Sequence, residues 1–319
     1  MRAAQAGDLA QVKALVERGE PIGLALGWAV NSLRLDIVEY LDGRPGALEF
    51  KAPRATSAAD GLFAKAVDGH VRGGLTQSEQ TFMTAARHGD TKAVLAELAR
   101  GVKVDRIDDY SLTALMRAAA WGHVETVDAL LKAGANPDLM EGRRTALHLA
   151  AQFSRIEVIG ALIAGKAQLN LRATPSDPTP LFMAVKARQP AVVRALIDAG
   201  ADASPGDGSL SALQYAIWLK DIDTVRELLK GGRTPVNERH AQAKESPLHG
   251  ALRCGKPDNG VEMIKTLIAA GADLNAKDTD GNTPLQMVEK KRALEKLPSY
   301  LPCYDAQIAI LRAASAHRP

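Results

Sequence analysis

The chain has 319 residues, 46% hydrophobic and 24% charged, and its 40 Lys and Arg nearly cancel its 37 Asp and Glu, leaving +3. That balance argues against a long disordered acidic chain and against a dedicated nucleic-acid binder, which usually carries a basic face. Aromatic residues are only 4%, so the core has to be built from Ala, Leu, Val and Ile, as thin, closely packed helices permit. Cys254 and Cys303 are too few for a disulfide framework, and too few for a structural zinc site unless His or Asp completes it. No apolar run approaches the roughly 18 to 20 residues of a membrane helix. The N-terminal stretch carries acidic residues and lacks the uninterrupted apolar core of a signal peptide. The expected setting is the cytoplasm; export would require a signal ahead of Met1.

In chain order, Met1 to Gly19 reads as the rear of a two-helix unit, and Ala25 to Leu41 as a further one. Residues 46–78, rich in Gly, break the pattern and read as an insertion or a degenerate repeat. A unit without a Thr-Pro-Leu opening starts near Glu79, with Phe82 to Asp90 followed by Ala93 to Leu98. From Thr113 onward one phrase recurs: a helix of small residues, a polar corner, a second apolar helix, then often Gly-Ala-Asp or Gly-Ala-Asn. Its opening residues are Thr113, Thr145, Thr179, Ser211, Ser246 and Thr283, spaced 32, 34, 32, 35 and 37 apart. A final helix over 306–314 caps the chain.

Elementary physics accounts for these residues. A Thr or Ser hydroxyl caps free N–H groups at a helix start, and Pro at the first helical position loses no hydrogen bond. Small residues at Ala118, Ala119, Ala150, Ala151 and Ala216 let neighbouring helices approach. Leu130, Leu162, Leu196, Leu228 and Leu267 recur at helical spacing with Val127, Ile159, Val193, Val225 and Ile264, giving each second helix one buried stripe. Gly134, Gly200, Gly232 and Gly271 stand where a helix ends in a left-handed residue.

Candidate chemistry is sparse. Gly160 to Ala167 nearly matches a phosphate-binding loop, but Ala167 replaces the magnesium-binding Ser or Thr, and its first half falls within a helix. His249 and Cys254 are five apart, a spacing that does not align them on one helical face. No metal or cofactor is expected. Arg143-Arg144 and Lys290 to Arg292 are the densest basic clusters, and runs this short read as solvated surface.

The period, the match of Thr145 to Ala151 to the T-P-L-H-x-A signature, and the Asp278 to Leu285 turn resemble the ankyrin repeat family. The resemblance implies an all-α solenoid of stacked helix-turn-helix units with protruding turns, about eight to nine counting terminal ones. The expected organisation is N-terminal repeats over 1–45, an irregular segment over 46–78, and a main stack over 79–319. It implies that His148 and His249 hydrogen-bond neighbouring turns. It also implies a non-enzymatic monomer that binds a protein or peptide through turn tips and the ends of first helices. Read onto this chain, the gripping residues are Trp121, Phe153 and Trp218, with Arg87, Lys186 and Arg253 at the rim and His88 facing the groove. Tyr110, Leu112 and Arg144 lie at turn tips. The alternatives are enzymatic or enzyme-accessory chemistry held in 46–78, and nucleic-acid binding.

Overall fold

The computed structural model describes residues 75–108, 110–175, 177–204, 210–239, 245–254 and 259–316. The expected 1–45 repeats and most of the 46–78 segment lie outside the described residues. Contacts divide the chain into two units, Met1–Leu75 with Asp108–Tyr110, and Thr76–Ile107 with Ser111–Pro319.

Among the described residues the second unit consists of fourteen α-helices in order, joined by turns. They are α1 (Gln77–His88), α2 (Thr91–Ala99), α3 (Ala114–Trp121), α4 (Val124–Lys132), α5 (Ala146–Gln152), α6 (Ile156–Ala164) and α7 (Pro180–Lys186). Then come α8 (Pro190–Asp198), α9 (Ala212–Trp218), α10 (Ile222–Lys230), α11 (Pro247–Ala251), α12 (Asn259–Ala269), α13 (Pro284–Leu294) and α14 (Leu301–Ala316). Odd helices stack on odd ones from α1 to α13, and even on even from α2 to α12. Helix α1 begins at Gln77 with a Thr76 capping box, two residues ahead of the expected start of the main stack. The capping helix is longer than its apolar pattern suggested, because it packs along both α12 and α13.

The opening Thr and Ser act as expected. Oγ of Thr113, Thr179 and Thr283 accepts from the backbone N–H three residues on. The third helical residue often closes the cap in return. His148 Nδ1 accepts from the Thr145 N–H at 3.2 Å, and its Nε2 reaches Pro178 O at 3.1 Å in the next turn. His249 spans Ser246 and Asn282 in the same way. Gln214 performs the same task without titrating, accepting from Ser211 N–H and donating to Glu238 O. These histidines are struts between repeats, as the resemblance implied.

The His148 strut carries a pH dependence. Burial pushes its pKa down to about 4 from 6.5. As pH falls, the unfolded chain takes the proton first, so the stabilisation is complete above about 6.5 and is lost as pH falls towards 4. At about 1.4 kcal/mol per unit, the loss reaches roughly 3 kcal/mol. His148→Gln keeps both hydrogen bonds, as Gln214 does, and is expected to flatten this part of the profile. Urea midpoints at pH 7 and 4.5 test it; equal acid sensitivity in both proteins would refute the assignment.

The core is a column of small and branched residues. Leu115, Leu147, Leu181, Leu213 and Leu248 are fully or almost fully buried, as are Val127, Ile159, Val193, Val225 and Ile264. Gly134, Gly200, Gly232 and Gly271 all have φ between 64° and 96°, the left-handed geometry their positions demanded. A second ladder ties the turns: Asp105, Asp138, Asn170 and Asn237 each accept, through a side-chain oxygen, the backbone N–H of a residue in the next repeat.

Although two cysteines make no framework, Cys254 and Cys303 are joined by a disulfide. It links the residues just after α11 to the first turn of α14 across 49 positions. Their spacing in sequence gave no sign of the pairing, because only the return of α14 onto the stack brings them together.

Candidate functional site

The ends of the first helices are where the candidate side chains gather. Each such end leaves carbonyls without helical partners, and neighbouring repeats supply some of the donors. His123 Nε2 lies 2.7 Å from Arg87 O, Arg155 Nε donates to Ala120 O, and Arg188 donates to Leu219 O. This leaves the side chains just before each corner as the surface on offer.

Trp218, at the end of α9, is 59% exposed. Its ring lies against Tyr215, which in turn meets Phe182 of α7 edge-on with centroids 5.0 Å apart. Beside Trp218 opens a cavity of about 250 Å³ between α9 and α11. Ile217, Gln214 and Trp218 line one side, Pro247, Gly250 and Arg253 the other. Arg253 is exposed and pairs with Glu245 at 3.4 Å. Burial holds the Lys291 ammonium, on α13, below the usual lysine range, and this group also feels Glu245, Arg253 and Asp278.

The other sequence candidates divide. Lys186 and His88 are exposed; Trp121 and Phe153 are half-buried. The Arg87 guanidinium lies over the Trp121 ring, 5.9 Å from its centre. Arg87 is only 8% exposed and therefore does not stand at a rim as expected. One of its guanidinium nitrogens lies 3.0 Å from His88 Nε2. Arg144 is half-buried with its pKa lowered by that burial, whereas neighbouring Arg143 reaches Asp177 at 2.6 Å. Leu112 is half-buried, and Tyr110, also half-buried, belongs with the other contact unit. Sequence reasoning thus named Trp218 and Arg253, which the cavity brings together, but missed Gly250 and Glu245.

The near phosphate-binding loop is a helix end. Gly160 lies inside α6, and Gly165 caps it where a Cβ would come within 2.7 Å of Leu131. Among the described residues no group of three His, Cys, Asp or Glu could hold a metal ion, and no helix is long and apolar enough to cross a membrane.

Comparison with known proteins places the fold. A family model described as ankyrin repeats in three copies matches residues 82–173 and 147–239, and the single ankyrin repeat model matches 244–279. Mouse inversin is 29% identical over 213 residues, 63% of this chain and 19% of inversin. Protein PhlB of Serratia liquefaciens is 40% identical over 113 residues, 35% of this chain and 48% of PhlB. The chain therefore spans less than half the length of either relative. Among solved structures, the ankyrin repeat domain of Bcl-3 is similar at a TM-score of 0.57 and 23% identity, covering 73% of this chain and 97% of that domain. The human ASB11 ankyrin repeat domain gives 0.55 at 22% identity, over 75% of this chain and 98% of that domain. Ankyrin repeats are in general protein-interaction modules, and this chain belongs to the ankyrin repeat family.

Proposed function

We propose that the chain is a non-enzymatic adaptor, scaffold or inhibitor that grips a protein or peptide along the groove formed by the ends of its first helices. One observation carries this reading: Trp218 is largely exposed at the edge of an apolar cavity in the middle of the stack. Exposing an indole costs hydrophobic free energy, and Trp and Arg are the side chains that dominate interface energies. Trp121 and Phe153, half-buried in adjacent units, extend the aromatic surface towards the N-terminal side. The Cys254–Cys303 bridge favours an oxidising compartment over the cytoplasm as the place where this happens.

Affinity capture with wild-type and Trp121→Ala/Trp218→Ala baits, followed by mass spectrometry, tests the reading. The double variant is expected to lose partners that the wild type retains while melting within a few degrees of it. Trp121→Ala alone should weaken binding about tenfold, as truncation of a moderate interface anchor does. A sharp drop in melting temperature with capture intact would show that these aromatics merely cover the core.

A further inference from the structure

The cavity beside Trp218 has a cause in the sequence. The fourth residue after each opening Thr or Ser is Arg117, Leu149, Met183, Tyr215, Gly250 and Met287. Arg117, Leu149, Met183 and Met287 are buried at this position. Tyr215 shows how it is normally filled: from α9 it reaches back to Phe182 of the preceding repeat. Gly250 occupies the equivalent point of α11, facing Gln214 and Ile217 of α9, and supplies no side chain. The stack therefore lacks one side chain at this step. The opening of about 250 Å³ is smaller than ordinary small-molecule clefts, which run to roughly 300–1,000 Å³. It is on the scale of a single large side chain.

The charges around it are segregated. At the seventh to ninth positions after the six opening residues stand Lys186, Arg188, Lys220, Arg253, Lys290, Lys291 and Arg292, and no Asp or Glu, in a chain with 37 carboxylates. At the cavity mouth Arg253 pairs with Glu245 and Lys291 feels both Glu245 and Asp278, so the positive excess of this side rests on Lys186 and Lys220, both exposed. Such a rim speeds the approach of an anionic segment and disfavours a cationic one.

Resting on the groove reading above, we infer that the partner's binding segment is an acidic peptide that inserts one large apolar side chain into the place left by Gly250. The inserted group packs between Ile217 and the Trp218 ring, and flanking Asp or Glu residues of the peptide meet Arg253, Lys220 and Lys291. The apolar lining selects this occupant over a nucleic acid, whose phosphates the cations alone would serve.

The test uses the full chain with its disulfide formed. A random displayed peptide library is selected against it, and the enriched peptides are synthesised and titrated by fluorescence polarisation, with Trp218 emission as a second readout. Enriched sequences are expected to combine one Leu, Met, Phe or Trp with several Asp or Glu. Gly250→Met should plug the cavity and weaken them about tenfold or more. This variant has room to fold: a Cβ at Gly250 would meet Ile217 Cγ2 at an ordinary 3.7 Å, and helical Gly gains stability on acquiring a side chain. Gly250→Ala, with its smaller plug, provides a check should the Met variant melt early, and is expected to give an intermediate loss. Arg253→Glu should weaken the same peptides and reduce their salt dependence. Enrichment of basic peptides, unchanged binding to both Gly250 variants, or displacement of the peptides by single-stranded polyuridylate with equal loss at Gly250 would overturn the inference. Peptides that need Trp121 and Trp218 but ignore Gly250 would leave the groove standing and remove only the socket. Peptides that ignore all three would remove both.

Discussion

Cys254→Ser/Cys303→Ser is expected to lower the stability of the C-terminal end of the stack by about 4 kcal/mol, the loop-closure value for a 49-residue separation. The bridge constrains the unfolded chain, and α14 otherwise depends on its packing against α12 and α13. Only Gln307, Ile308 and Leu311 of α14 are buried, so its apolar contribution is thin. In a repeat stack each unit contacts only its neighbours, and the loss should remain local. Hydrogen exchange reads this directly. Amides of α12 to α14 are expected to lose protection in the variant or under reductant, while those of α3 to α7 keep theirs. Uniform loss along the chain would contradict the local account, and unchanged exchange would mean that the bridge contributes little. Arg253 neighbours Cys254, so loosening this end is also expected to weaken occupancy of the cavity.

The second large effect lies in the middle of the stack. Phe182→Ala should cost about 4 kcal/mol, typical for deleting a fully buried aromatic ring. Phe182 has no exposure, its N–H caps onto Thr179 Oγ at 3.2 Å, and its ring holds Tyr215 edge-on. Removing it leaves a void at the α7–α9 step and frees the Tyr215 ring that supports Trp218. Chemical denaturation followed by circular dichroism and by tryptophan emission should then separate into two transitions, because the coupling between halves has been weakened. A single transition with an unchanged midpoint would show that this step is not a principal contact between them.

Local chemistry made much of the architecture legible. Thr113, Thr145, Thr179 and Thr283 cap helices through hydroxyls a few bonds from the N–H groups they serve. Gly134 and Gly200 end helices through their own backbone freedom. Because each repeat repeats the same short-range solution, period and signature together implied stacked helix pairs, and the matched family models agree. Even the His148 and His249 struts follow, since their partners lie one repeat away in a regular stack.

What the sequence by itself determined, then, was the set of helices, their caps and the order in which they stack, all of which rest on interactions within one repeat or between neighbours. Only the tertiary structure decided which end-of-helix side chains are accessible. Trp121 and Trp218 share similar sequence surroundings, yet the first is half-buried beside the Arg87 guanidinium while the second stands exposed beside a gap. That gap depends on the absence of a side chain at Gly250 facing another repeat, and the disulfide depends on α14 folding back onto α12 and α13. Exposure and long-range pairing are properties of what packs against a residue from elsewhere in the chain.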